Sequence, residues 1–175
     1  MRRLLRLLAL VLLAGAAWTA WEAFTPRPAP PPAPAVEQVD RILIEKSARR
    51  LTASRRGETV LEFPIALGFA PEGDKAQEGD GRTPEGRFRI DRRNPDSAYH
   101  LSLGINYPRP QDRARARAAG VSPGGDIFIH GQPNALGSLV TLPGDWTAGC
   151  IAVSNEQMET LWRLAQVGTE VEIRP

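Results

Sequence analysis

Cys150 is the only cysteine in the chain and His130 one of only two histidines, so together they are the first candidates for nucleophile and base in thiol chemistry. A free thiol titrates at roughly 8.5 and is mostly protonated at neutral pH; a neighbouring imidazole is the usual means of making the thiolate. Gly149, directly before the thiol, leaves room for a carbonyl to approach the backbone, where N–H groups could hold a developing oxyanion. The competing reading is that a lone cysteine is a small buried hydrophobe, inert and structural. Two histidines, without HExxH or a cysteine cluster, speak against a zinc hydrolase, and the thiol chemistry calls for no metal and no cofactor.

Other elements must bring these residues together. Asp126 to His130 (DIFIH) reads as a short strand with Ile127 and Ile129 on one face and Phe128 and His130 on the other, so His130 ends a strand where Gly131 turns the chain. Pro133, Gly137, Pro143 and Gly144 then specify a loop long enough to return Thr147–Cys150 beside its start. Upstream, Val39–Glu45, Arg50–Ser54 and Thr59–Leu67 read as a three-stranded meander, its last strand an edge or bulged at Pro64, which cannot donate to a ladder. Ala70–Gly81 is Gly- and acid-rich, a solvated excursion or a rim of the cleft. Gly86–Asp91 and Tyr99–Tyr107 have strand period; in the second, His100, Ser102 and Asn106 share the polar face, which makes His100 a second candidate base or an ordinary polar-face histidine.

Gln111–Ala119 is a helix former ended by Gly120, with Arg113, Arg115 and Arg117 spread around it as a solvated face or as a surface for an anionic polymer. Ser154 and Gln157 form a capping box that opens a helix to about Val167, with Met158, Leu161, Trp162 and Ala165 as its core stripe. Gly168 stops that helix, and Glu170–Ile173 makes a last strand with Val171 and Ile173 inward. Many short strands with two or three helices give a mainly β domain.

The order of these residues resembles a known family. His130-Gly131, a spacer ending at Trp146, and Thr147-Ala148-Gly149-Cys150-Ile151 are similar to the signature of the L,D-transpeptidase (YkuD-type) catalytic domain, a histidine followed at a restricted distance by Ser/Thr-x-Gly-Cys. Thr83-Pro84-Glu85-Gly86-Arg87-Phe88 looks like its TPxGxF segment, Leu101–Pro108 like its LxLxxxYP strand, and Asn155 like the asparagine after the nucleophile. The resemblance spans about residues 39–173. It implies a β-sandwich-like domain with the cysteine in a cleft, acting on peptidoglycan stem peptides through an acyl-thioester. It also implies Cys150 as nucleophile and His130 as base, with Gly131, Thr147 and Gly149 in support: the Gly131 carbonyl holding the histidine tautomer, and Thr147 orienting the imidazole or the substrate.

Two departures bear on the reaction. Cross-linking members of the family commonly read SHGC, then a hydrophobic residue, then Arg or Asn, whereas Ala148 and Ala152 stand here in place of the His and of the Arg or Asn. A divergent branch with GC-x-A includes a hydrolase that releases a lipoprotein from peptidoglycan. Transfer to an amine is thus the first expectation. Hydrolysis by the same family, as carboxypeptidase, endopeptidase or lipoprotein release, is the second, and an inactive wall-binding module is the third.

The N-terminus points to export. The cationic Arg2, Arg3 and Arg6 precede an apolar run, and residues 1–24 read as a signal peptide cut near Ala14-Gly15-Ala16 or as an uncut signal anchor in the inner membrane, with Trp18 and Trp21 at the far interface. Residues 25–35 are a Pro-rich linker, and residues 36–175 the catalytic domain. Six prolines between Thr25 and Pro34 predict an extended spacer of roughly 30 Å lying outside the fold. The formal charge of +2 comes from the leader: without Arg2, Arg3, Arg6, Arg27 and Glu22, the 22 basic and 20 acidic residues become 18 and 19. No nucleic-acid partner is expected; the expected setting is the periplasm or cell envelope.

Overall fold

Alternating apolar residues build an eight-stranded sheet that folds over on itself. The computed structural model describes residues 2–25, 28–138 and 140–175, without the side chains of residues 2–5 and 36. Pro26 and Arg27 of the linker, and the side chains of Arg2 and Arg3, lie outside the described residues. The elements are helix α1 (Arg2–Phe24), strands β1 (Arg41–Glu45), β2 (Arg50–Arg55), β3 (Glu58–Pro64), β4 (Gly86–Ser97) and β5 (His100–Ile105), helix α2 (Pro110–Ala118), strands β6 (Phe128–His130) and β7 (Ile151–Ala152), helix α3 (Asn155–Leu164) and strand β8 (Glu170–Arg174). The mainly β class with a few helices, expected from the sequence, is the fold observed.

The strand order is β3-β2-β1-β8-β4-β5-β6-β7. The meander β1–β3 is antiparallel, and its tight turn carries Arg56 and Gly57 at φ 53° and 86°. β8 lies between β1, to which it is parallel, and β4, to which it is antiparallel. β4 is the hinge of the sheet: Gly86–Arg89 pair with β8, while Ile90 onward pairs with β5 across an irregularity between Ile90 and Arg92. A bulge of this kind bends a strand, so β4 passes from one layer to the other. β3 is the first strand in the order, as Pro64 requires. It ends at Pro64 rather than Leu67, since Ala66 and Gly68 turn aside to bridge Ala152 and Thr147 and close the two layers onto each other.

The core between the layers includes Ile42, Ile44, Leu51, Leu67, Phe88, Leu103, Ile129, Ile151 and Ile173, with Met158, Leu161, Trp162 and Ala165 of the α3 stripe packed into it. The predicted capping box is present, the Ser154 hydroxyl accepting from the Gln157 N–H at 3.2 Å. The helix stops at Leu164, a turn short of Val167. Arg93 meets it there: its guanidinium lies over the Trp162 ring and donates to the carbonyl of Trp162, which the N–H of Gln166 would have used in a further turn, and to that of Ala165.

The proline run is not wholly outside the fold. Ala33 is only 4% exposed and donates its N–H to the Arg163 carbonyl at 2.8 Å, so the end of the spacer docks on the last turn of α3. Ahead of it, Arg6–Phe24 is a 19-residue stretch of mean hydropathy 1.7 with none of it buried, long and apolar enough to cross a membrane.

Candidate active site

Strand register gathers the chemistry-bearing residues into two rows on one face of the second layer. Asn94 pairs with Ser102, Ser102 with His130 and His130 with Ala152; in the adjacent row Arg92 pairs with Gly104 and Gly104 with Phe128. The parallel pairing of Ile129 with Ile151 puts Cys150 at the end of the second row, beside Phe128. His130 and Cys150 are therefore on neighbouring strands two residues out of step, about 8 Å apart at their Cα atoms on ideal strand spacings. Both line one cavity of about 470 Å³, together with Tyr99, Ser102, Trp146 and Ala148. The loop from Gly131 returns Cys150 to the histidine's strand, as its length allows.

His130 is 4% exposed, and its Nδ1–H donates to the Gly131 carbonyl at 2.7 Å. A carbonyl can only accept, so this bond fixes the neutral tautomer and leaves Nε2 as the basic nitrogen. Tyr99 and Trp146 lie against the imidazole, with ring centroids 4.7 and 5.7 Å away. Burial among them lowers the imidazole pKa, with the Gly131 carbonyl opposing. The Cys150 thiol is half-buried and donates to the Asp126 carbonyl at 3.4 Å. Burial raises its pKa; the Phe128 N–H and, more weakly, Lys75 and Arg92 favour the thiolate, while the Asp126 charge disfavours it. Both shifts point to a resting pair that is neutral thiol and neutral imidazole, awaiting a proton transfer.

The supporting residues have more specific work than the sequence indicated. Thr147 faces the backbone of its own turn and not the imidazole: its hydroxyl donates to the Cys150 carbonyl at 2.7 Å and accepts from the Gly149 N–H at 3.1 Å. That contact engages the Gly149 N–H, whereas the Cys150 N–H has no acceptor among the described residues. Gly149 sits at φ 132°, and a Cβ there would stand 2.7 Å from the Arg82 carbonyl. Glycine is thus required by the close backbone of the Arg82-Thr83 segment. At Gly131, a Cβ would come within 2.6 Å of the Asn155 Oδ1, which accepts the Gln132 N–H at 2.7 Å.

His100 is not in the cavity. It pairs with Glu159 of α3 at 3.0 Å, on the far side of the Tyr99 turn. Ala148 lines the cleft, but Ala152 is only 1% exposed and exchanges both backbone hydrogen bonds with Ala66 at 2.8 Å. The loop Ala70–Gly81 contributes nothing to the lining; it is held by Asp80, which accepts from Lys75 and from the N–H groups of Ala76, Gln77 and Arg82. Tyr99 and Trp146 were missed as site residues. Their signal was present, an aromatic at the head of the β5 run and another just before the Thr-x-Gly-Cys turn, but alternation alone assigned Tyr99 to the apolar face.

Residues 39–173 match the model of the L,D-transpeptidase catalytic domain. The chain is 27% identical over 93 residues to YafK of Escherichia coli strain K12, which carries the name of an L,D-transpeptidase; the match covers 52% of this chain and 31% of YafK. Among solved structures, the helical cell shape determining protein Pgp2 of Campylobacter jejuni superposes with a TM-score of 0.59 at 28% identity, covering 78% of this chain and 47% of Pgp2. An L,D-transpeptidase of Xylanimonas cellulosilytica shares the fold, with a TM-score of 0.52 at 19% identity over 82% of this chain and 64% of that one. The chain spans about a third of the length of the curated relative and about half that of Pgp2.

Proposed function

The chain belongs to the L,D-transpeptidase catalytic domain family, and on that premise we propose that it is a cell-envelope enzyme acting on peptidoglycan stem peptides through an acyl-thioester on Cys150. The observation that carries this reading is the opening of Cys150 and His130 onto one cleft, with the histidine tautomer fixed by Gly131. In the mechanism, His130 Nε2 takes the thiol proton as Sγ attacks the peptide carbonyl, and the Cys150 N–H donates to the developing oxyanion. Collapse breaks the carbon–nitrogen bond, and the imidazolium returns its proton to the leaving amine. Family likeness makes the scissile carbonyl that of the L-centre of a diaminopimelate residue.

The acceptor then decides the outcome. An amine completes transfer, giving cross-links or lipoprotein attachment; water completes hydrolysis, including release of a peptidoglycan-linked lipoprotein. Hydrolysis is the second reading, and Ala148 favours it: at the lip of the cleft a methyl group stands where cross-linking members carry a polar histidine. The likeness to Pgp2 suggests that such trimming or joining would bear on cell shape. The exposed apolar helix supports export, as a signal sequence or as an inner-membrane anchor with the catalytic domain in the periplasm.

The test is incubation of the wild-type protein and its Cys150→Ala variant with peptidoglycan, part of it carrying bound lipoprotein, followed by mass spectrometry. Wild type alone should change the wall. Cross-linked dimers would identify transfer, and shortened or released peptides hydrolysis. A wall left unchanged by both proteins would refute the enzymatic reading and leave the wall-binding module.

A further inference from the structure

A second cavity of about 460 Å³ adjoins the catalytic cleft and shares Asp126 with it. Its wall is Arg92, at the far end of the row that begins at Cys150. The Arg92 side chain crosses Gly104, where an added Cβ would meet its Cγ at 2.6 Å, and its guanidinium carbon rests 4.4 Å from the centre of the Phe128 ring. Only glycine at 104 lets the arginine reach the strand next to the nucleophile.

The second cavity is rich in donors that other groups leave available. Arg113 of α2 lines it and has no ion-pair partner among the described residues, unlike Arg115, which is taken by Asp74 and Asp112. Asn106 also lines it; its Oδ1 accepts the Arg89 N–H, so its amide N–H₂ faces away from that bond. Two acids share the space. Asp91 binds one guanidinium nitrogen of Arg92 at 3.1 Å and Asp126 the other at 3.0 Å. The Asp126 side chain is 89% exposed, and an ion pair so solvated is worth little, which makes it the contact that an incoming anion would displace.

Resting on the proposed peptidoglycan reaction, we infer that this second cavity is a carboxylate subsite, in which Arg92, with Arg113 and Asn106, holds a carboxylate of the stem peptide while its scissile carbonyl lies at Cys150. With Asp126 displaced, the Nη2 of an arginine pinned on an aromatic face is left to donate to a carboxylate, while Asp91 keeps Nη1. Arg92 also lowers the thiol pKa slightly, as a cation this close must. The carboxylate has two sources, the C-terminus of the peptide and the side-chain carboxylate of its diaminopimelate.

The test compares kcat and KM for a disaccharide–tetrapeptide and for two analogues, one amidated at the C-terminus and one at the diaminopimelate carboxylate. Arg92→Gln should raise KM for the unmodified substrate roughly 10- to 100-fold, the loss of one hydrogen bond to a charged group. It should leave unchanged the KM of the analogue lacking the recognised carboxylate, and so name the source. Arg92→Lys should restore part of the loss, and Asp126→Asn should lower KM. Equal losses on all three substrates, or none, would overturn the subsite.

A second readout is independent of turnover. The rate of Cys150 alkylation by iodoacetate relative to iodoacetamide should fall in Arg92→Gln and persist in Arg92→Lys. An unchanged ratio overturns the subsite. A wild-type protein that alkylates with the expected ratio yet processes no peptide refutes the proposed reaction and supports the anion site.

Discussion

The two layers of the sheet bury themselves differently. β1 and β2 alternate half-buried and buried residues, with Ile42, Ile44, Leu51 and Ala53 inward and charged residues such as Arg41, Glu45 and Arg50 outward. β5 to β7 have almost no outward face: Leu101 to Ile105, Ile129 and His130, and Ile151 and Ala152 are all buried. On β1 and β2 the outward polar groups meet water; in the second layer Gln132 and Thr147 are buried and bonded to protein, and Ser102 and His130 are buried with the cleft beside them. A layer with one wet face tolerates change on that face. A layer covered on both sides holds each polar group in one geometry, which is what a catalytic pair requires.

Mutations should expose that difference. The largest effect is expected from His130→Ala, which should reduce turnover roughly 10²- to 10⁴-fold and slow alkylation of Cys150 near neutral pH; unchanged kinetics would remove His130 as the base. Next comes Gly131→Ala, also in the covered layer, where the new methyl meets Asn155, His100 and the Tyr99 carbonyl within 2.6 to 3.2 Å. It should cost about 2 kcal/mol in urea unfolding, and a neutral result would mean that the turn relaxes freely.

A smaller effect concerns pH. Folded His130 has a lowered pKa, so the unfolded chain binds the proton more readily. Stability is therefore complete above the unfolded value of about 6.5 and is lost as pH falls below it toward the lower folded value. His130→Asn should flatten that part of the melting-temperature profile; an unaltered slope would point to other groups. The smallest effect is in the wet layer. Arg50, paired with Glu45 on the exposed face, should be replaceable by Ala with no measurable shift in the unfolding midpoint.

The same contrast governs what could be read from the sequence. Alternation located β1, β2 and β6, and put Phe128 and His130 on one face, because those strands have two distinguishable sides. On β5 it separated Leu101, Leu103 and Ile105 from Ser102, but it could not show that the polar face is covered too, with Ser102 buried nearly as fully as Leu101. The α3 capping box and stripe were legible because both are local patterns, whereas its early end is met by Arg93, some seventy residues upstream. Docking of Ala33 was hidden by the prolines around it, which announce an extended chain but not its neighbour. The orientation of Thr147 could not be read either, since a hydroxyl bonds its own turn or a side chain equally well.

One placement has a consequence for how the protein is made. β8 holds the two flanks of the sheet together, Val171 pairing with Ile42 on one side and with Phe88 on the other. A chain that emerges amino end first, from a ribosome or through a translocation channel, has both flanks long before it has the strand between them. On the edges that β8 will occupy, Ile42 and Phe88 stay unpaired until residues 170–174 have been made, so the two flanks join into one sheet late, and the interval before that is when a chaperone would find its target.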